Sequence, residues 1–87
     1  MKIKYSRDAL KFLSKQTKDT VNRIRSNINE KLTKKPPEGD IAPLEGYKDG
    51  RKRLRVGRWR IIFKYTEENE LEVLEIIDID SRGGVYK

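Results

Sequence analysis

The chain has 87 residues, room for a single domain (1–87) and no second core. It contains no cysteine and no histidine, which excludes disulfides, thiolate chemistry, the usual zinc ligands and the side chain that most readily exchanges protons at neutral pH. The net charge of +7, from 21 Lys and Arg against 14 Asp and Glu, directs attention to polyanionic partners, and no apolar run is long enough for a membrane span or a secretion signal; a soluble cytoplasmic protein with neither metal nor cofactor is expected.

In chain order, Lys2–Tyr5 alternates, with Ile3 and Tyr5 on one face, and reads as a short strand. Ser6 stands where an N-cap belongs, with Asp8 in the first turn, and Ala9, Leu10, Phe12 and Leu13 follow at helical spacing, so residues 7–15 form a short helix. Thr17 or Asp19 caps a second helix. There Val21, Ile24, Ile28 and Leu32 fall at i, i+3, i+7 and i+11 and draw one apolar stripe; its other faces, rich in Lys, Arg and Asn, read mostly as solvated. Pro36-Pro37 ends that helix. Residues 36–50 hold all three prolines and three of the six glycines and read as an irregular connection.

Arg51–Val56 and Arg58–Thr66 read as two strands, Glu67–Asn69 as a turn, and Leu71–Ile79 as a third strand rich in Val, Ile and Leu. Asp80–Lys87, with Gly83-Gly84, reads as an extended tail. The resulting order is β-α-α-β-β-β. It describes an α+β domain, with two N-terminal helices packed on one face of a mostly antiparallel four-stranded sheet.

Charge is segregated. Residues 48–64 carry eight bases and one acid, Asp49, whereas residues 65–87 carry seven acids and two bases, Arg82 and Lys87. Alternation places Arg51, Arg53 and Arg55 on one face of their strand and Leu54 and Val56 on the other. In the next strand Arg58, Arg60, Ile62 and Lys64 share a face, opposite Trp59, Ile61, Phe63 and Tyr65. A loop of two or four residues centred on Val56-Gly57 sets Leu54 opposite Trp59 and Arg53 opposite Arg60, and four is favoured because Val56-Gly57 is not a preferred two-residue turn. The apolar set then faces the helices, and Arg51, Arg53, Arg58 and Arg60 gather on the open face. A one-residue slip would mix the two sets, so the register is strongly specified.

Like charges opposite one another on a sheet are unfavourable, by a few tenths to roughly 1 kcal/mol per pair. Such a face needs a reason, and phosphate supplies one, because guanidinium is planar, permanently charged and forks onto phosphate oxygens. The competing explanation is neutralisation by Glu72, Glu75 or Asp78 on the neighbouring strand. Trp59 reads as core, and Tyr47 and Tyr65 as structural.

The strings Leu44-Glu45-Gly46, Arg53-Leu54-Arg55-Val56-Gly57-Arg58-Trp59-Arg60-Ile61-Ile62-Phe63 and Arg82-Gly83-Gly84-Val85-Tyr86 resemble the RelE/ParE toxin superfamily over essentially the whole chain. RelE-like members are ribosome-dependent endoribonucleases, and ParE-like members bind DNA gyrase. The resemblance to the RelE-like branch implies the toxin of a type II toxin–antitoxin pair, which cuts mRNA in the ribosomal A site without metal, by attack of a 2′-hydroxyl on the adjacent phosphate. The alternative is a ParE-like gyrase inhibitor with no nuclease activity.

By position, Arg60 matches the arginine that contacts the scissile phosphate. Arg82 matches the one that stabilises charge near the leaving oxygen, and Tyr86 the terminal tyrosine that stacks on or orients the nucleotide. Arg51 and Arg53 complete the implied catalytic set, and Arg55, Arg58, Lys48 and Lys52 the RNA-binding set, although Lys52 has the wrong parity for the open face. Arg51 and Arg53 stand where well-studied members have lysines, and arginine neither accepts nor readily gives up a proton. Ser81 stands where many relatives have a basic residue or histidine. These departures leave electrostatic stabilisation as the dominant catalytic effect. The resemblance also implies a cognate antitoxin with an acidic segment, and no small-molecule cofactor.

Overall fold

The computed structural model describes residues 1–81. The elements run β1 (Lys2–Tyr5), α1 (Arg7–Ser14), α2 (Lys18–Lys31), β2 (Asp40–Pro43), β3 (Lys52–Val56), β4 (Trp59–Glu68) and β5 (Leu71–Ser81). The sheet has five strands in the order β1-β5-β4-β3-β2. Only β1 and β5 run parallel; the other neighbours are antiparallel. The fold is α+β, as the sequence implies, but the strand count is corrected from four to five. The added strand, β2, lies inside the segment read as irregular. It is an edge strand, where Pro43 needs no outward ladder donor, and its Ile41 stands opposite Leu54.

Both helices start at polar caps. The Ser6 hydroxyl accepts from Ala9 N–H at 3.0 Å, and the Thr17 hydroxyl from Thr20 N–H at 3.2 Å, each satisfying a first-turn donor the helix leaves unpaired. The core lies between the helices and one face of the sheet. Ala9, Leu13, Ile24, Ile28 and Leu32 meet Leu54, Trp59, Ile61, Phe63, Leu74, Ile76 and Ile79. The apolar stripe of α2 is therefore its buried face, and Trp59 is core. The Tyr65 hydroxyl donates to the Leu32 carbonyl at 2.6 Å and closes the end of α2, a structural role as expected. No helix among the described residues is long and apolar enough to cross a membrane.

Two details of the meander decide what the open face carries. Val56 pairs with Trp59, Arg55 with Arg60, Leu54 with Ile61 and Arg53 with Ile62. The β3–β4 turn is thus the two-residue Gly57-Arg58, with Gly57 at φ 57°, rather than a four-residue loop. The pairing is displaced by two residues from the expected one, so parity is preserved and each side chain keeps its face. Arg58, however, sits in the turn and not on the strand.

The second detail is a β-bulge on β5. Phe63 pairs with Ile76 but Ile62 with Asp78, so Ile77 is an extra residue. Beyond it Ile61 faces Ile79 and Arg60 faces Asp80. The bulge sends Ile76 and Ile79, three residues apart, to the same core face and turns Asp80 to the open one. Ser6 anchors it: the Ser6 hydroxyl donates to the Ile77 carbonyl at 2.5 Å while accepting the helix-capping bond.

Candidate anion-binding face of the sheet

The register builds rows of side chains across the open face. One row runs Asp80, Arg60, Arg55, Asp40 over strands β5, β4, β3 and β2. The next holds Asp78, Ile62, Arg53 and Ala42, and a third begins Lys4, Glu75, Lys64, with Arg51 at the entrance to β3. Alternation thus gathers Arg51, Arg53, Arg55 and Arg60 on the side away from the helices. Lys52 pairs with Phe63 on the helix side, as its parity requires. Arg58 and Lys48 are exposed in loops and not on the strands that carry this cluster. Arg82 and Tyr86 lie outside the described residues.

Arg55 and Arg60 are directly opposite, the repulsive arrangement expected to cost stability. Aspartates flank them at both ends of the row. Arg60 Nη2 lies 3.5 Å from Asp80 Oδ2, and Arg55 Nη1 and Arg53 Nη1 each lie 3.7 Å from Asp40 oxygens. The neutralising acids are therefore Asp40, Asp49 and Asp80, not the Glu72, Glu75 and Asp78 considered from the sequence. Glu72 pairs with Lys35, Glu75 accepts from the Thr66 hydroxyl, and Asp78 accepts from the Ile79 amide.

These pairs differ in kind. Arg51 is held tightly: its Nε and Nη2 reach Asp49 at 3.1 and 2.8 Å in a two-pronged bond, and its guanidinium lies over the Tyr47 ring at 4.2 Å. Lys64 shares the same carboxylate at 3.2 Å. The Arg51 guanidinium beside Asp49 holds that carboxyl well below the usual range, with Lys64 adding to the effect. Arg53 and Arg60 are held loosely instead. Separations of 3.5–3.7 Å exceed hydrogen-bond length, so the aspartates attract these guanidiniums without consuming their donors. Arg53 Nη1, Arg60 Nε and Asp80 Oδ1 are buried and hydrogen-bond to nothing among the described residues. Their side chains are only 16% and 27% exposed for Arg53 and Arg60; the long stems flank Ile62, which is buried although it faces away from the core.

Such a pair suits an anion with several oxygens. On a sheet the diagonal separation of Arg53 and Arg60 is about 7–8 Å at the backbone, which two flexible guanidiniums can span around one phosphate. Neither residue lines the depression of about 370 Å³ on the open face, which is bounded by Lys4, Ser6, Arg51, Lys64, Glu75 and Ile77 among others. Alternation across β3 and β4 revealed the arginines. It did not reveal Asp40, hidden in a Pro- and Gly-rich stretch, or Asp80, which faces Arg60 only because of the bulge. The one sequence signal for the bulge is the three-residue spacing of Ile76 and Ile79, which breaks the two-residue period.

The family model of the ParE toxin of type II toxin–antitoxin systems, parDE, matches residues 3–86. No curated protein sequence matches the chain. Among solved structures, the chain is similar to one in the archaeal RelE–RelB complex from Pyrococcus horikoshii OT3, with TM-score 0.63, 24% identity and 97% of each chain covered. It is likewise similar to one in the RelB–RelE antitoxin–toxin complex from Methanococcus jannaschii, with TM-score 0.65, 20% identity, and 97% of this chain and 95% of that one covered.

Proposed function

The chain belongs to the ParE toxin family of type II toxin–antitoxin systems, within the RelE/ParE superfamily, and from that premise we propose that it is a metal-independent endoribonuclease that cuts mRNA on the ribosome. The observation that carries this reading is the pair Arg53 and Arg60. Both lie on one face, both are largely buried, and each has a guanidinium nitrogen hydrogen-bonded to nothing among the described residues.

In the proposed reaction a ribose 2′-oxygen attacks the adjacent phosphorus as its proton leaves. The bond to the 5′-oxygen breaks and that oxygen gains a proton, giving a 2′,3′-cyclic phosphate and a 5′-hydroxyl. Arg60 and Arg53 stabilise the negative charge that grows on the phosphoryl oxygens. Arg82 is assigned to the leaving oxygen and Tyr86 to the nucleotide. Arg51, anchored by Asp49, contributes field rather than a flexible contact, and Arg55, Arg58 and Lys48 are assigned to flanking RNA; Lys52, on the helix side beside Phe63, is not. With no histidine in the chain, alignment of the 2′-oxygen is left largely to the ribosome, which holds the codon in place. The partner is an antitoxin whose acidic segment folds along the toxin and covers this face.

The test is purified protein added to ribosomes programmed with a defined mRNA, followed by mapping of the new ends. The proposal expects ribosome-dependent cuts bearing 5′-hydroxyl and 2′,3′-cyclic phosphate ends. The family match to ParE toxins favours a second reading, inhibition of DNA gyrase by protein binding. Intact mRNA together with lost gyrase supercoiling activity would establish that reading in place of the first.

A further inference from the structure

The positive charge of the molecule does not reside on its arginine-rich sheet. Residues 1–35 carry eleven bases and three acids, while residues 36–87 carry ten bases and eleven acids. On the open sheet face Arg51, Arg53, Arg55, Arg60 and Lys64 each stand beside a carboxylate. On the helices the reverse holds. Arg7, Lys11, Lys15, Lys18, Arg23 and Arg25 are exposed, and among the described residues none forms an ion pair.

Their placement is unfavourable for the free protein. Arg7, Lys11 and Lys15 follow one another at i, i+4 and i+8 along α1 and its C-cap, a stripe of mutually repelling neighbours. Arg7 and Lys18 are the first residues of α1 and α2, at the end where the helix dipole disfavours a cation. On α2, Lys18, Asn22, Arg25 and Asn29 fall at i, i+4, i+7 and i+11, and all four are exposed. The two arginines are partly ordered already: Arg25 lies over the Tyr5 ring at 5.3 Å and Arg23 over Trp59 at 5.8 Å.

We propose that the outer face of α1 and α2 docks on the phosphate backbone of folded, double-stranded RNA. Bases spread over two helices match a ligand whose charges are evenly spaced, and the amides of Asn22 and Asn29 can both donate to and accept from a ribose 2′-hydroxyl. An acidic peptide that folds on binding needs apolar surface to bury, and the one large hydrophobic exposed on these helices is Leu10. This surface lies on the opposite side of the sheet from the anion-binding face, and the proposal does not rest on the nuclease reading.

The test is binding of the full chain to an RNA duplex of about 16 base pairs, followed by fluorescence anisotropy at several salt concentrations. The triple variant Lys11→Gln, Lys15→Gln, Lys18→Gln is compared with Lys2→Gln, Lys34→Gln, Lys35→Gln. The second set removes the same charge from residues that sit in ion pairs elsewhere. The helix variant should bind at least ~10-fold more weakly, with the log–log salt slope shallower by about 2–3, on the scale of one counterion per lost contact. The comparison variant should stay within about threefold of wild type. The single changes, each expected to lower the slope by about 0.9, serve if the triple variant does not fold. Equal loss in both triple variants, or no loss in the helix variant, overturns the proposal. So does equal affinity for a DNA duplex of the same length, or for polyglutamate. The readout is binding to a duplex, so a failed nuclease assay leaves the result standing, and the reverse.

Discussion

Asp49 holds two cations at once, and that makes it the most sharply defined electrostatic residue on the sheet face. Its carboxyl accepts from Arg51 and Lys64, and these bonds, that of Arg51 foremost, depress its pKa. With the folded value below the unfolded one, its contribution to stability is present above the ordinary carboxylate range near ~3.9. That contribution is lost only as pH falls through the lower folded value. In a carbon-detected NMR titration the Asp49 carboxyl should therefore remain ionised below the ordinary carboxylate midpoint; a midpoint close to ~3.9 contradicts the tight pairing. Asp80 does a different job. It lies near Arg60 without a hydrogen bond, so Asp80→Asn should keep Arg60 on its face while removing the nearby negative charge. Binding of inorganic phosphate, followed by NMR shifts at Arg60 Nε, should tighten by roughly 3–10-fold, the scale of about 1 kcal/mol of screened Coulomb energy. Weaker phosphate binding would mean that Asp80 positions the guanidinium instead. The arginines were legible in the sequence because strand parity needs only a period of two. Their acid partners were not, since pairing depends on register and on a bulge.

Among the elements, β5 shows how one irregularity sets the chemistry of a face. Were Ile77 paired regularly with Ile62 instead of bulged, Arg60 would stand opposite Ile79, and an aliphatic chain would be turned toward solvent beside a guanidinium. Ser6 stabilises the arrangement by bonding both the bulge carbonyl and the first turn of α1. Ser6→Ala should cost about 1–2 kcal/mol in denaturant unfolding, and exchange protection at Asp78–Asp80 amides should fall with it. A change below ~0.5 kcal/mol would show that the bulge is held by packing alone. The connection before β2 offers a second test. Gly39 has φ 112°, and a Cβ there would stand 2.7 Å from Leu54 Cδ1. Gly39→Ala should therefore destabilise by about 1–3 kcal/mol through backbone strain and overpacking; an unchanged unfolding midpoint contradicts this. Helix starts were legible because Ser6 and Thr17 are capping residues next to apolar stripes. The strand β2 was not. Pro43 and the surrounding glycines signal a loop, and only its pairing with β3 makes the segment a strand. The two-residue turn at Gly57-Arg58 was misplaced by sequence patterning for a similar reason, since parity is equally satisfied by registers two residues apart.

At the scale of the molecule, the two sides of the sheet divide the electrostatic work. The open face gathers arginines and restrains them with aspartates, which limits self-repulsion and keeps Arg53 and Arg60 in place. The helical side carries the net charge with little restraint. The layer order was readable from the sequence, because a strand, two capped helices and a meander allow few compact arrangements. The charge balance was not readable, because the acids that neutralise the sheet come from β2, the loop before β3 and the end of β5. The proposed nuclease activity requires that the sheet arginines, Arg60 above all, grip a phosphate. The most direct measurement is cleavage of mRNA on programmed ribosomes by wild type and by Arg60→Ala, with folding of the variant verified by its unfolding midpoint. Loss of one transition-state donor predicts a rate at least ~100-fold lower for Arg60→Ala. A folded variant that cuts at the wild-type rate, or a wild-type protein that leaves mRNA intact while blocking gyrase, would contradict the account.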